Sequence, residues 1–481
     1  MSKKYIKFPF ASFVVLWMLI SFFAGDVLAA SASTPAGQAE ATFRLPQYEK
    51  FVMKNGLTVY LMEQHEVPLV NISAAVPAGA VKDNDKYGLA FLTAEALLFG
   101  AKSFTKTQLE EKLDFLGTTY YTNVDGEMAR LTASFANKDV DIIMPILKEI
   151  LVDPIFDEKE FDKRKKRLML ELEQEKEIPG QVMESYFNKF MFGEHGYGNP
   201  VGGTKGTISA ISNEDLKKFY QANYKPAESV IAVVGDFKTP QVKKMIEKWF
   251  GGWKAKTGEG SQGAAEKPLP TFAKSRVLLV NKDDATETRF RIGTLGIKRS
   301  NPDYVAIQVI NTILGGRFTS WLNDELRVNA GLTYGARSNF AAYKTSGTFY
   351  VSSYTRTERT IEALDLAVQV LERLHVKGVD AETLVSAQNY IKGQYPPDYE
   401  RLGDLANLLT DMFIYGFNES FINDFQENVE GVTVEKAKEI IAKYFPRENL
   451  QFVLIGKGSE IRDKVKKYGE VTEKEIKAEG F

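Results

Sequence analysis

Cysteine is absent from all 481 residues. Without thiols there is no disulfide framework, no thiol nucleophile, no lipidated cysteine and no cysteine-ligated metal site, so stability must come from core burial alone. Histidine is scarce as well, limited to His65, His195 and His375. Zinc hydrolases commonly place two imidazoles one helical turn apart so that both reach one ion, and no helix of this chain can present such a pair. His65 follows Gln64 at an expected strand end, His195 sits in the loop Gly193 to Gly198, and His375 ends an expected helix, so each reads as a surface or capping residue. Neither sign of charge dominates: 61 basic against 63 acidic residues leave a net −2. With no Lys/Arg block interleaved with aromatics, no nucleic-acid footprint is visible. A G-x-S-x-G elbow and a Walker A loop are missing too. The one G-x-G-x-x-G, at Gly258, Gly260 and Gly263, lies in a polar stretch rather than between a strand and a helix, which argues against a nucleotide site.

Long hydrophobic runs are absent except at the start. Lys3, Lys4 and Lys7 precede an apolar run from Phe8 to Gly25, and the small residues around Ala29 and Ala30 follow. That order is expected of a secretory signal over residues 1–30, which implies an exported protein, most simply periplasmic. An uncleaved membrane tether is the alternative, because the run approaches the roughly 18 residues a spanning helix needs.

What remains has ordinary globular composition, 44% hydrophobic and 26% charged, and is too long for one compact core. Residues 31–44 read as a flexible leader and residues 253–274, rich in Gly, Ser, Lys and Pro, as a linker. The segments 45–252 and 275–481 follow one plan. Each opens with short strands (Thr58–Met62 and Leu69–Pro77; Val277–Asn281 and Arg289–Leu295), then a helix (Gly88–Phe99; Tyr304–Leu314), then a strand leading into an amphipathic helix. Each closes with a capped helix running through Tyr and Pro into an apolar strand ended by Gly, at Val230–Gly235 and Leu450–Gly456. The expected fold is α+β: two homologous domains in tandem, each a mainly antiparallel sheet packed by helices.

Two stretches carry possible chemistry. Gly88-Leu89-Ala90-Phe91-Leu92-Thr93-Ala94-Glu95 reads as a helix, followed later by Leu168-Met169-Leu170-Glu171-Leu172-Glu173 with Glu177 and Pro179. Taken alone, Glu171 is one acid among Glu171, Glu173, Glu175 and Glu177 on a solvated helix. In the second half, Gly315-Gly316-Arg317-Phe318-Thr319-Ser320-Trp321-Leu322 continues through Leu326 and Arg327 to Gly331, and then Leu332-Thr333-Tyr334-Gly335 starts an expected strand. Phe318, Leu322 and Leu326 fall on one apolar stripe with Arg327 just off it, so Arg327 and Tyr334 can converge at one helix–strand corner. The bland alternative has Arg327 paired with Asp324 or another acid and Tyr334 packed in the core.

These stretches resemble the insulinase/pitrilysin peptidases, over about Tyr48 to Val465. In active members the first helix carries an H-x-x-E-H zinc motif. Alignment on Gly88-Leu89-Ala90 puts Phe91 and Glu95 at the two histidine positions, Ala94 at the general-base position and Glu171 at the third-ligand position, so the motif is degenerate. The resemblance implies that Arg327 and Tyr334 match an L-R-x-x-x-G-L-x-Y signature whose Arg and Tyr hold the scissile carbonyl at the zinc site of an opposing half, each domain pair forming half of a clam-like chamber.

The implied function is a noncatalytic, zinc-less subunit of a heterodimeric metallopeptidase. It holds no metal itself, zinc being expected in a partner subunit similar to those of mitochondrial processing peptidase, and peptide is the substrate. A Glu95–Glu171 pair could at most bind a hard cation weakly. The alternatives are a peptide-binding or scaffold protein without a role in proteolysis, and a self-sufficient enzyme with an unrecognised metal site.

Overall fold

A computed structural model describes residues 43–255 and 267–481. The expected signal at 1–30, nearly all of the leader, and residues 256–266 of the linker, with Gly258, Gly260 and Gly263, lie outside the described residues.

The first half builds a six-stranded sheet from β1 (Glu49–Val52), β2 (Thr58–Glu63), β3 (Leu69–Val76), β4 (Thr119–Val124), β5 (Ala129–Ala136) and β6 (Val230–Gly235), in the order β1-β2-β6-β3-β5-β4. The second builds another from β7 (Arg276–Asn281), β8 (Glu287–Leu295), β9 (Ala336–Ala342), β10 (Gly347–Arg356), β11 (Gln451–Gly456) and β12 (Glu470–Glu475), in the order β9-β10-β8-β11-β7-β12. Five strands superpose in topology. In each half the opening central strand runs parallel to the closing one (β2 with β6, β7 with β11), and the other pairings are antiparallel. The sixth strand breaks the symmetry, since β1 pairs antiparallel to β2 whereas β12 runs parallel to β7. The closing strands β6 and β11 are buried along their whole length, which is why they read as unbroken apolar runs rather than alternating ones. Gly235 ends β6 at φ +146°, where a Cβ would lie 2.2 Å from the Leu69 carbonyl oxygen, so only glycine fits.

Each half folds its own helices over one face of its sheet, forming two separate cores. The other face of each sheet is covered by a helix from the opposite half. Of the helices that matter here, α1 (Leu89–Ala96), α2 (Glu158–Glu175) and α3 (Pro179–Phe192) belong to the first half, and α4 (Tyr304–Asn311) and α5 (Leu402–Tyr415) to the second. From α3, Val182, Met183, Tyr186 and Phe187 pack on Leu278, Val280, Val453 and Ile455 of the second sheet. From α5, Leu405, Leu409 and Met412 pack on Tyr60, Met62, Val230 and Val234 of the first. At about 1.5–3 kcal/mol for each large apolar side chain removed from water, this exchange binds the halves strongly. Polar ties add direction. Arg130 pairs with Asp411 at 2.5 Å, the Ser73 hydroxyl donates to Asn407 at 2.9 Å, and the Tyr197 hydroxyl donates to Glu127 at 2.6 Å while accepting from the Thr345 N–H at 3.1 Å. The described residues accordingly form one compact unit. Its start is anchored at Phe43, whose N–H donates to Gln426 at 2.7 Å and whose ring stacks on Tyr399 at 5.2 Å. No helix among the described residues is long and apolar enough to cross a membrane.

Candidate functional site

Helix α1 starts from a left-handed Gly88 (φ +90°), a conformation that favours glycine. The buried Asp83 carboxylate accepts the N–H of Gly88 at 2.8 Å and of Ala90 at 2.7 Å, fixing the helix's first turn. From this base Phe91 and Glu95 project half-buried, while the Ala94 methyl is fully buried in the core. Phenyl and methyl groups offer a metal no donor and a reaction no proton acceptor.

The centre of this region is a side chain for which the sequence reading gave no role, Arg164 of α2. Its guanidinium donates to both oxygens of Glu95 (Nε at 2.7 Å, a terminal nitrogen at 3.0 Å) and to Glu171 at 2.8 Å, and it lies 5.8 Å from the Phe91 ring centre. Arg167 holds the second oxygen of Glu171 at 2.7 Å. The two carboxylates at ligand-equivalent positions are therefore bridged by a fixed organic cation. Burial pushes the Glu95 carboxyl up, with Arg164 opposing it. Burial also acts upward on Glu171, but Arg167 and Arg164 together outweigh it and hold that carboxyl below its ordinary value. Two expectations need correction here. Glu171 is not merely one acid on a solvated face, because it is half-buried and held by two arginines. Nor are Glu95 and Glu171 available to a hard cation, because the bridging guanidinium already takes their charge and lone pairs. The residues present do not fit zinc, and no group of three or more His, Asp or Glu among the described residues could hold a metal ion.

The histidines take structural roles. His195 is buried rather than on the surface, and its Nδ1 accepts the Tyr197 N–H at 3.1 Å, capping the turn Gly196–Gly198. His65 faces Asp236 at 2.6 Å and Glu63 at 3.1 Å, and His375 lies in the last turn of the helix Thr360–Lys377.

In the second half, α4 continues into Thr312–Gly316, and a new helix runs from Trp321 through Asn329. Its last part is π-helical, with the Ala330 N–H donating to the Glu325 carbonyl five residues back at 3.0 Å. Such widened turns recur at functional sites. Leu322 and Leu326 are fully buried and anchor the helix. Phe318 does not join them, contrary to the stripe expected: it precedes the helix and is 67% exposed. Tyr334 is 74% exposed, so the alternative that packs it in the core is excluded. Arg327 packs against both rings, its guanidinium carbon 4.6 Å from the Phe318 ring centre and 4.5 Å from that of Tyr334. Among the described residues no carboxylate pairs with it. Asp324, the partner the sequence suggested, makes no ion pair with it, and Glu325 on the same helix is taken by Arg373 at 3.2 Å and by Asn329 at 3.0 Å.

The backbone around Tyr334 is stitched to β10. The Thr355 hydroxyl donates to the Leu332 carbonyl at 2.7 Å and the Ser353 hydroxyl to the Gly335 carbonyl at 2.9 Å. The strand itself starts at Ala336, two residues beyond Tyr334. The structure thus brings a half-buried Arg327 and an exposed Tyr334 together as donors with no hydrogen-bond or ion-pair partner among the described residues, and separately brings Phe91, Glu95 and Glu171 together around Arg164. The spacing of Arg164 and Glu171, seven residues or two helical turns apart, was the available sequence signal for the second cluster.

Comparison with known proteins follows the same lines. Residues 58–205 match the insulinase family, peptidase family M16, and residues 210–391 match the peptidase M16 inactive domain. An uncharacterized zinc protease of Bacillus subtilis, YmxG, is 22% identical over 72% of this chain and 83% of its own length. A protein of Helicobacter pylori described as a non-peptidase homolog is 24% identical over 82% of this chain and 90% of its own. A probable mitochondrial-processing peptidase subunit beta of Schizosaccharomyces pombe is 24% identical over 57% of this chain and 60% of its own length. Among solved structures, a peptidase M16 inactive domain from Pseudomonas fluorescens has a TM-score of 0.78 at 25% identity, covering 85% of this chain and 98% of that one. The two sheets of matching topology, the glycine-led helix α1 and these matches agree: this chain belongs to the insulinase family of peptidases, family M16.

Proposed function

We propose that this chain is the noncatalytic, zinc-less subunit of an exported heterodimeric metallopeptidase, and that it works by presenting Arg327 and Tyr334 to the scissile carbonyl of a peptide held at a zinc-bearing partner. The observation that carries this reading is the unpaired guanidinium of Arg327 beside an exposed phenol. An arginine with no assigned task ordinarily finds a carboxylate or swings into water, whereas this half-buried one packs against two rings and no acceptor among the described residues takes its N–H groups. A guanidinium and a phenol aimed at one oxygen donate hydrogen bonds that strengthen as negative charge develops there. The pair cannot cleave a peptide by itself, since neither group activates water.

The degenerate first-half site supports the same division of labour, because Arg164 gives α1 and α2 a metal-free means of staying together. Kinship with a chain described as a non-peptidase homolog and with one described as a processing-peptidase subunit supports it further. The two chains would close around a chamber in the periplasm, the metal chemistry belonging wholly to the partner.

The test compares peptide hydrolysis by this chain alone, by its co-purified complex, and by complexes carrying Arg327→Ala or Tyr334→Phe. The expected result is no activity alone, activity in the complex, and a loss of about 10²–10³ in turnover in each variant without dissociation. Wild-type turnover in both variants would overturn the assignment and favour a peptide-binding scaffold.

A further inference from the structure

Phe318 is a large apolar ring left 67% exposed, although buried Leu322 and Leu326 lie on the helix that begins three residues later. Its backbone is held in place. Its carbonyl accepts from the buried Asn323 amide at 2.7 Å, and the oxygen of the same Asn323 accepts the Ala336 N–H at 3.4 Å, so one side chain ties together the turn bearing Phe318, the helix bearing Arg327 and the strand that follows Tyr334. The Phe318 and Tyr334 ring centres lie 4.6 and 4.5 Å from the Arg327 guanidinium carbon, so both rings pack against that one cation.

We propose that Phe318 is a positioning residue for Arg327. The physical reasoning is that a guanidinium is weakly hydrated on its faces and strongly hydrated at its edges. Rings on the faces remove the freedom to rotate and leave the in-plane N–H donors pointing outward, so the donors are already oriented when an acyl oxygen arrives. Tyr334 alone is the weaker clamp, because its hydroxyl is itself expected to engage substrate, whereas the Phe318 ring has no polar group to draw it away. This proposal rests on the reading of Arg327 as a carbonyl-binding group.

The experiment uses the full mature chain without any partner. An arginine-selective dicarbonyl reagent such as phenylglyoxal is applied, and the labelling rate of each arginine-containing peptide is followed by mass spectrometry in wild type, Phe318→Ala and Phe318→Trp. The expected result is Arg327 labelled roughly fivefold faster in Phe318→Ala, as loss of one exposed cation–π contact allows, a return to the wild-type rate in Phe318→Trp, and unchanged rates at Arg317 and Arg373. An unchanged Arg327 rate in Phe318→Ala overturns the proposal, and so does acceleration shared by Arg317 and Arg373, which reports general loosening. Because no partner enters this assay, its failure is distinct from failure of the functional reading, which full activity of an Arg327→Ala complex would reveal.

Discussion

Arg164 and Glu95 face each other across α2 and α1 in a two-point ion pair, with donor–acceptor distances of 2.7 and 3.0 Å. Both side chains are largely screened from water, at 18% and 26% exposure. Removing the guanidinium would leave Glu95 and Glu171 confronting one another with no cation between them. Arg164→Ala is therefore expected to cost about 3 kcal/mol, read by denaturant unfolding, and Glu95→Gln in that background is expected to recover part of the loss. A loss under 0.5 kcal/mol, the ordinary surface range, would mean that Arg164 does not hold the two helices together.

The same cation makes a prediction about metal. Rebuilding the family motif by Phe91→His, Ala94→Glu and Glu95→His leaves Arg164 where a dication would have to sit, and like charges at this range repel. The triple variant is expected to bind zinc poorly, and adding Arg164→Leu is expected to tighten binding at least about tenfold, by analogy with the cost of mutating groups around metal ligands. Zinc content after equilibrium dialysis reads both. Equal zinc affinity with and without Arg164 would show that the guanidinium does not stand in the ion's place.

Acid should weaken the second half at an identifiable point. Asp303, just before α4, accepts from the Tyr444 hydroxyl at 2.7 Å and pairs with Lys436 at 2.9 Å and Lys443 at 3.2 Å, which together hold its carboxyl down at about 2. A depressed carboxyl stabilises the fold above the ordinary aspartate value, near 3.9, and that contribution is lost as pH falls toward the folded value. Because the lysines are exposed, about 1 kcal/mol is expected. Unfolding midpoints of Asp303→Asn should be lower than wild type at pH 6 and converge with it at about pH 2.

Arg327 and Tyr334 should matter little to stability. Tyr334 is exposed, and Arg327 makes no hydrogen bond or ion pair within the described residues that its loss would orphan. Arg327→Ala and Tyr334→Phe should each shift the free energy of unfolding by less than about 0.5 kcal/mol. A large shift in either would assign that residue to the architecture rather than to a substrate.

The duplicated plan was legible because its central strands are buried on both faces. Val230–Val234 and Phe452–Ile455 read as unbroken apolar runs ended by glycine, and the polar-capped helices before them, starting at Ser212 and Thr433, carry clear start signals. The edge strands were harder: three of the six positions of β4 and five of the six of β12 are Thr, Asn, Glu or Lys, and little apolar content remains to mark them. The exchange of α3 and α5 between halves could not be read at all, because an amphipathic pattern says that a helix has a covered face and not which sheet covers it.

At the sites, Arg327 and Tyr334 were found by motif, while Phe318 was misplaced because its spacing of four residues to Leu322 imitates a helical stripe that begins only at Trp321. Arg164 was hidden in the basic run Lys163 to Arg167, whose members have different tasks. Lys163 pairs with Glu160, Lys165 donates to the Ile211 carbonyl, and only Arg164 turns in toward Glu95. Composition cannot separate these; the helical register of Arg164 with Glu171 can.

The central claim is partnership, and the direct measurement is to tag the C-terminus, purify the protein from its native cells under mild conditions, and identify by mass spectrometry what accompanies it in equal amount. The account predicts a chain of similar size carrying H-x-x-E-H, with zinc and peptidase activity present in the complex and absent from this chain alone. Recovery of this chain by itself or as a homodimer, without zinc or activity, would contradict it.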